Sequence, residues 1–568
     1  MITRSPGMLE TPTAPAPHSS SEALSRWHRV RPHVAFITIA SIGIALRYWQ
    51  YFANDSYFMD EIAVLRNLMD RPWRDLLTQP LDFGQLAPTG FLMVEKLLLS
   101  FLGSTEYSLR LFPFLCSAAS VVIFAMLVRG LLSRAGALAS LAMFATAGPF
   151  ILYGSQLKQY SVDVLCTCLL SLAATRYVST RRRSAAYLFG ITGAVCVWFS
   201  QPSVIVVGGM AFLLFANEVL QLRSGRGKSD GAILVACVIV GISAGGSMIH
   251  AIRLLTPETR EYMRDFWKDG FMPAHLPTSL SNLWPYAQFH GFFGTGGIGV
   301  MGYPHPGIFT VLTALGLVVL VFGRKLPGIV IAAPVFAALL ASAARQYPLT
   351  ERIILFLLPS FIIALVVAAE SLASLAGASG WFPRVVLSIL VGFAAYPVLH
   401  QLPPYHVEHL RPVIEYVASH RQPDDKVYVL HGAVPAFSYY GPRYGLAGSS
   451  TIIGTCRTDD PRQYFREIDQ LRGSKRAWII IGHPFAPYRE RENLLAYLDA
   501  IGIRRSMFAL APRRWIEPEN LFHPAEVWEY DLSGPEPATD TSAETFPLLL
   551  PEGRLSSYPC SVGPQSIR

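Results

Sequence analysis

Apolar residues in this chain gather in long unbroken blocks. They follow neither the alternation of half-buried strands nor the one-sided stripe of surface helices. Crossing hydrocarbon takes roughly 20 helical residues. By that measure the sequence predicts eleven spans, near 33–53, 111–128, 135–152, 160–178, 185–200, 202–220, 231–253, 306–323, 327–343, 353–370 and 385–401. The break at Gln201-Pro202 divides an apolar stretch too long for one span. An odd count places the two termini on opposite sides. Three segments outside the spans are large: 54–110, 254–305 and everything after 402.

After 402 the pattern changes to short alternating elements. A helix is predicted at 406–420, a strand at Val427–His431, a helix after Asp460-Pro461, a strand at Ala477–Gly482, a helix near 488–500, and strands near 505–511 and 525–531. The expected fold is therefore a polytopic α-helical membrane protein, residues 33–402, followed by an extracytoplasmic α/β domain, 403–533. Residues 1–32 read as a disordered cytoplasmic tail and 534–568, rich in Pro, Ser and Thr, as a second disordered tail. The stretch Gly90–Gly103 is apolar but too short to cross and carries Glu95 and Lys96, so it is expected to lie along the membrane surface. Glu261–Pro273 mixes aromatic and charged residues, as an interfacial loop does.

Composition agrees: 52% of the 568 residues are hydrophobic and only 15% charged, against about a quarter in soluble enzymes. The net charge of +8, from 47 Lys and Arg against 39 Asp and Glu, lies mostly in short loops. Arg129 and Arg134, Arg176 with Arg181–Arg183, Arg223 with Arg226 and Lys228, Arg324 with Lys325, and Arg384 all fall on one predicted side. Arg26, Arg29 and Arg31 precede the first span on that same side, which the positive-inside rule makes cytoplasmic. No basic helix or aromatic-interleaved basic stripe occurs, so no nucleic-acid partner is expected. Five of the seven cysteines lie in apolar spans. Cys456 and Cys560 lie in the polar part, where a disulfide and two free thiols fit equally well.

Candidate chemistry gathers where spans meet the outer segments. Asp60-Glu61 follows the first span, where an acid serves as a general base or holds a divalent cation; the same pair also suits the first turn of a helix over Ile62–Asp70. In Tyr153-Gly-Ser-Gln-Leu-Lys158-Gln-Tyr160-Ser-Val-Asp163, Lys158 and Tyr160 can grip a phosphate or a sugar hydroxyl, or simply anchor the helix at the interface. Asp163, almost a turn deeper, calls for a polar cavity or a partner. In Arg345-Gln-Tyr347-Pro-Leu-Thr-Glu351-Arg352, Arg352 offers a fork of donors to a phosphate, or pairs with Glu351 or Asp163. Arg110 is similar and opens a span. His250, alone near a span end, reads as a hydrogen-bonded interior residue. P-loop, GxGxxG, HExxH, CxxC and GxSxG patterns are absent, which removes support for soluble nucleotide chemistry and the common protease chemistries.

Over residues 33–400 the chain resembles the GT-C superfamily of polytopic glycosyltransferases, of the protein O-mannosyltransferase and aminoarabinose-transferase type. The resemblance rests on Asp60-Glu61, on LGSTEYSLRLFPFL (102–115), on YGSQLKQYSVD (153–163) and on YPLTERIILFLLP (347–359). It implies a bacterial cytoplasmic-membrane enzyme that transfers a sugar at the outer face, with inversion, from a polyprenyl-phosphate donor to a lipid, glycan or protein acceptor. Asp60 would activate the acceptor, with Glu61 supporting it or binding a cation. Lys158 and Arg352 would meet the donor phosphate, with Tyr160, Tyr347 and Asp163 beside them. The metal requirement stays open. The sequence departs from the family where Gln85-Leu-Ala-Pro88-Thr-Gly90 replaces a common Lys-Pro-Pro, and where Lys158 stands in place of a commoner Arg. The alternatives are a lipid-linked sugar flippase or transporter without covalent chemistry, and an assembly factor whose outer domain does the work.

Overall fold

The computed structural model describes residues 19–224, 231–272, 301–303, 306–323, 325–375, 381–446, 448–456, 462–484, 489–515, 524–534 and 542–549, the side chains of 19–32 and 325 excepted. Each of the eleven apolar runs is helical. In chain order the helices are α1 (Ser19–Phe52), α2 (Met59–Asp70), α3 (Trp73–Thr78), α4 (Thr89–Leu102), α5 (Glu106–Leu131), α6 (Arg134–Thr146), α7 (Gly148–Leu152), α8 (Tyr160–Thr180), α9 (Arg183–Phe199), α10 (Ser203–Ser224) and α11 (Gly231–Arg253). They continue with α12 (Pro257–Phe266), α13 (Pro306–Gly323), α14 (Lys325–Ala343), α15 (Leu358–Leu375) and α16 (Phe382–His400). Among the described residues eight helices are long and apolar enough to cross a membrane, and nine if the bent pair at 134–155 is one span. That is fewer than the eleven expected. The remaining two runs are α1, whose apolar stretch is interrupted by Arg47 and Gln50, and α9, which has only 17 residues. The break at Gln201-Pro202 is present, between α9 and α10.

Helix α1 begins at Ser19, inside the stretch expected to be a disordered tail. Helix α4 buries Phe91, Leu92 and Glu95 and leaves Leu97, Phe101 and Leu102 exposed. At one end of the bundle Arg129 meets His33 and Arg181 meets Glu218, and both arginines belong to loops expected on the basic side.

The span over 134–155 bends by 55° between α6 and α7. A bend frees backbone carbonyls, and hydrocarbon supplies no water to satisfy them. Arg47, fully buried on α1, takes up that role: Nη1 donates to the Ala145 carbonyl at 3.0 Å and Nη2 to that of Phe144 at 3.2 Å, while Nε reaches Ser117 Oγ at 3.0 Å. An arginine inside a span thus closes the broken helix.

At the opposite end sits a five-stranded sheet in the order β2-β1-β3-β5-β4, with β1 (Lys426–Val429), β2 (Thr451–Ile453) and β3 (Ala477–Ile481) parallel, and β5 (Ala525–Asp531) and β4 (Ile503–Leu510) antiparallel. Its helices are α17 (Arg411–His420), α18 (Val434–Tyr440), α19 (Gln463–Asp469) and α20 (Glu490–Ile501). Strand periodicity divides the core. Val427, Val429, Trp478, Ile480 and Val527 join the bundle core, whereas Tyr428, Ile479, Ile481, Trp528 and Tyr530 pack with residues of α19 and α20. Helix α17 starts five residues later than expected, and α18 and β2 are too short for periodicity to reveal. Residues 542–549 lie in the stretch expected to be disordered. They pack on the sheet side instead, with Arg462 donating to the Ala543 and Phe546 carbonyls and Phe546 set against Phe465. Cys456 is disulfide-bonded; Cys560 lies outside the described residues.

The α/β part is fastened to the first loop by buried polar contacts. Tyr405 and Gln50 exchange two hydrogen bonds of 2.7 Å, Arg411 Nη1 meets Glu106 at 2.8 Å, and the Tyr57 N–H donates to the Tyr440 hydroxyl at 2.8 Å. Gly148 leaves room for the Trp515 ring, since a Cβ there would lie 2.2 Å from it. The Ser56 N–H donates to His409 Nδ1 at 3.0 Å, which requires a neutral ring. Burial, aided by His406, Arg411 and Arg110, pushes His409 down to about 3.

Two outcomes are expected. Arg47→Leu leaves two carbonyls unsatisfied and lowers stability by about 2–5 kcal/mol, read as a fall in thermal midpoint in detergent. An unfolded-state histidine titrates near 6.5. The His409 contribution is therefore complete above about pH 6.5 and is lost progressively as pH falls toward 3. Thermal unfolding against pH should show this loss in the wild type and not in His409→Gln.

Candidate active site

Helix α2 opens with Phe58 as N-cap and places Asp60 and Glu61 in its first turn, where the exposed N–H groups favour acids. Consecutive helical residues diverge by about 100°, so the two carboxylates point to different partners. Glu61 is 1% exposed. Its Oε1 accepts from Arg110 Nε at 2.9 Å and from the Leu157 N–H at 2.7 Å; its Oε2 accepts from Arg110 Nη2 at 2.7 Å and from the Phe58 N–H at 3.0 Å. Four donors fill the lone pairs of a carboxylate. Of the two roles expected of Glu61, this arrangement suits the support of Asp60 through the placing of α2, since all four positions on its oxygens are engaged. Arg110 is equally committed, its other nitrogen donating to the Asp55 carbonyl at 2.7 Å.

Asp60 faces Arg352, 292 residues away in sequence, with Oδ2 at 2.8 Å from Nη2. The left-handed backbone at Glu351 (φ 42°) leads into the 3₁₀ turn Glu351–Leu357 that carries Arg352. Arg352 Nε donates to the Tyr160 hydroxyl at 3.1 Å, and its guanidinium lies 5.5 Å from the Trp267 ring centre. Glu351 is its weaker neighbour at 3.9 Å. Asp163 is not its partner. Lys158, buried, donates from Nζ to Gln85 Oε1 at 2.6 Å. Burial alone would raise the Asp60 carboxyl; Lys158, Arg352 and His483 more than offset it and hold it below its usual value. Burial brings the Lys158 amine below the usual lysine range, with Asp60 opposing and Arg352 assisting.

The structure thus joins Asp60, Arg352 and Tyr160 directly, with Lys158 within their electrostatic reach. Tyr347 and Asp163 stand apart from that group. The Tyr347 hydroxyl donates to the Ile353 carbonyl at 2.9 Å and braces the turn that carries Arg352. Asp163 is buried on α8 with Oδ1 unpartnered and Ser200 as its hydrogen-bonding neighbour. Beyond Gln85 lies an open, mainly apolar groove lined by Leu76, Gln85, Pro88, Trp198, Gln201 and His250. Among the described residues no group of three or more His, Cys, Asp or Glu is placed to hold a metal ion. The acids nearest the site already have cationic partners, which does not suit one.

His483 went unnoticed in the sequence. Its signal was Gly482-His483-Pro484 at the carboxyl end of a parallel strand, where open α/β sheets present ligand groups. Its role at Asp60 depends on how the sheet docks, which no local pattern encodes.

A family model for dolichyl-phosphate-mannose-protein mannosyltransferases matches residues 87–243, a segment that contains Lys158, Tyr160 and Asp163. Over that segment the chain is similar to this family. The match lies inside the region that resembles the GT-C glycosyltransferases. Among solved structures, ArnT from Cupriavidus metallidurans in the apo state is 12% identical, with 90% of this chain and 100% of that one covered at a TM-score of 0.45. The same protein bound to undecaprenyl phosphate gives 12%, 89%, 100% and 0.45. The archaeal oligosaccharyltransferase AglB from Archaeoglobus fulgidus, in complex with an inhibitory peptide and a dolichol-phosphate, gives 12%, 88%, 77% and 0.44. No curated protein matches in sequence.

Glu61→Gln should break the buried pair and cost roughly 3–5 kcal/mol, seen as a lower thermal midpoint in detergent. A variant that melts like the wild type but has lost activity would return Glu61 to the chemistry.

Proposed function

We propose that this chain is a membrane glycosyltransferase that moves a sugar from a polyprenyl-phosphate donor to an acceptor at the membrane face carrying the sheet. The observation that supports the reading most is the convergence of Asp60, Lys158 and Arg352, from three distant segments, at one end of the bundle. Two cations against one carboxylate suit a phosphate, whose charge grows as the sugar departs. The similarity over 87–243 to a family that uses a dolichyl-phosphate sugar agrees with a lipid-phosphate donor. The apolar groove next to Gln85 gives the lipid chain a place beside Lys158.

In this reading Arg352 and Lys158 bind the donor phosphate, Tyr160 orients Arg352, and Asp60 hydrogen-bonds and aligns the acceptor. The acceptor heteroatom forms its bond to the anomeric carbon as the carbon–oxygen bond to phosphate breaks, the electron pair staying on the polyprenyl phosphate. A single displacement inverts the anomeric centre. The face is outer: the basic loops at the far end of the bundle remain cytoplasmic, and a disulfide at Cys456 belongs to an oxidising compartment. The acceptor is a lipid, glycan or protein presented there.

The test reconstitutes the full chain in lipid nanodiscs with a panel of polyprenyl-phosphate hexoses and pentoses and a lipid extract as acceptor source. Asp60→Asn should lower kcat about 10²–10³-fold, the size of loss seen when one preorganised group is removed. Arg352→Gln and Lys158→Gln should raise KM for the donor. Undiminished transfer by Asp60→Asn overturns the reading, and movement of the lipid-linked sugar across vesicles without transfer makes the chain a flippase.

A further inference from the structure

Tyr153, which opens the short turn after α7, carries a hydroxyl that the reading above leaves unused. The residue is 6% exposed, yet among the described residues its hydroxyl makes no hydrogen bond and is not sealed from solvent. The ring is buried and the oxygen faces an opening. A tyrosine hydroxyl in so buried a residue normally finds a partner, and an exception calls for a reason. Its neighbours show which opening this is. The ring meets that of Tyr160 edge to face at 5.4 Å, and the Tyr160 hydroxyl accepts from Arg352 Nε at 3.1 Å. Arg352, Glu351 and Asp60 all lie within electrostatic reach of Tyr153. Two close approaches fix its place: a Cβ on Gly148 would lie 2.2 Å from the Trp515 ring, and one on Gly154 would lie 2.5 Å from Ser117 Oγ. Helix α7 is thereby wedged at one end against the α/β part and at the other against α5.

The uncommitted edge of Arg352 indicates the ligand. Its Nε is used by Tyr160 and its Nη2 by Asp60, whereas Nη1 makes no hydrogen bond among the described residues. The acid nearest Nη1 is Glu351 at 3.9 Å, which is also a neighbour of Tyr153. An anion taken by Nη1 would therefore arrive beside the Tyr153 hydroxyl. We propose that Tyr153 is a further binding residue, donating a hydrogen bond to the phosphate of the polyprenyl-phosphate sugar beside Arg352 and Lys158. The inference rests on the glycosyl-transfer reading and adds a residue to the same donor site. A hydroxyl supplies a directed bond without a further positive charge, and that bond strengthens as negative charge gathers on the phosphate during departure of the sugar. Tyr153 keeps its proton throughout. The free oxygen on a fixed ring is then explained: its partner is the substrate.

The test uses the full chain in nanodiscs with two probes, a long-chain polyprenyl phosphate without sugar and the polyprenol of the same length. Binding is read from the rise in thermal midpoint that each probe produces. Tyr153→Phe removes one oxygen that has no internal partner, so the midpoint without ligand should stay at the wild-type value. Its affinity for the polyprenyl phosphate should fall about 10- to 100-fold, the size of one hydrogen bond to a charged group, while polyprenol binding is unchanged. In the transfer assay kcat/KM for the donor should fall by at least as much. Wild-type affinity for the polyprenyl phosphate in Tyr153→Phe overturns the proposal. So does an equal loss for the polyprenol, the mark of a bracing role, and so does a loss confined to the sugar-bearing donor, which would move the contact to the sugar. Transfer by the wild type together with unaltered phosphate affinity in the variant overturns this inference alone. A wild type that binds the polyprenyl phosphate but transfers no sugar overturns the function reading, and one that does neither overturns both.

Discussion

The buried pair of Glu61 and Arg110 is the contact from which the rest of the site takes its geometry. It joins the first turn of α2 to the first turn of α5, and through the Leu157 N–H it also fixes the loop that delivers Lys158. Because Glu61 is held on one side of α2, its neighbour Asp60 must project from another. That direction leads to Arg352. A carboxylate with four donors and an arginine with three acceptor groups leave nothing to exchange, so the pair serves as a joint. Buried ion pairs contribute little net stability once desolvation is counted, but removing one partner is costly. The pair therefore specifies an arrangement more than it strengthens the fold.

The second level of organisation is the docking of the sheet. Tyr405, His409, Arg411 and Tyr440 contact residues 50–57 and Glu106, the same loop and helix start that Glu61 and Arg110 hold. One strand face continues the apolar core of the bundle. The α/β part is thus set against the membrane part by the residues that flank Asp60, and a side chain on its strand end, His483, is brought near the carboxylate.

Much of this was legible in the sequence for a simple reason: hydrocarbon imposes a length and a composition on each span. The break at Gln201-Pro202 and the strands at 477–482 and 525–531 follow from local pattern. The addresses of Asp60, Lys158 and Arg352 at span ends were legible too. Their pairing was not, because Asp60 and Arg352 are 292 residues apart and Glu351 and Asp163 offered themselves as equally plausible partners on the page. Glu61 looked like chemistry because its identity as half of a joint depends on Arg110, which looks like any arginine at a span entrance. Tyr347 looked like a ligand group, yet its hydroxyl is used by the carbonyl of Ile353. In each case residue type and position were readable, whereas the partner required the fold.

Arg47 shows why an apparent exception to the membrane rules belongs to the site. A charged residue inside an apolar run is expensive and needs polar partners; here the partners are the Phe144 and Ala145 carbonyls, freed by the bend between α6 and α7, and Ser117 on α5. Ser117 in turn donates to the Phe150 carbonyl inside α7 at 3.0 Å. The short helix is thereby held in its bent direction. It leads straight into 153–159, the loop that ends at Lys158 and Tyr160. An unbroken span would carry those residues along the helix axis. With the break sealed from below by Arg47 and the loop fixed from above by Glu61, Lys158 is held within electrostatic reach of Asp60 and Arg352.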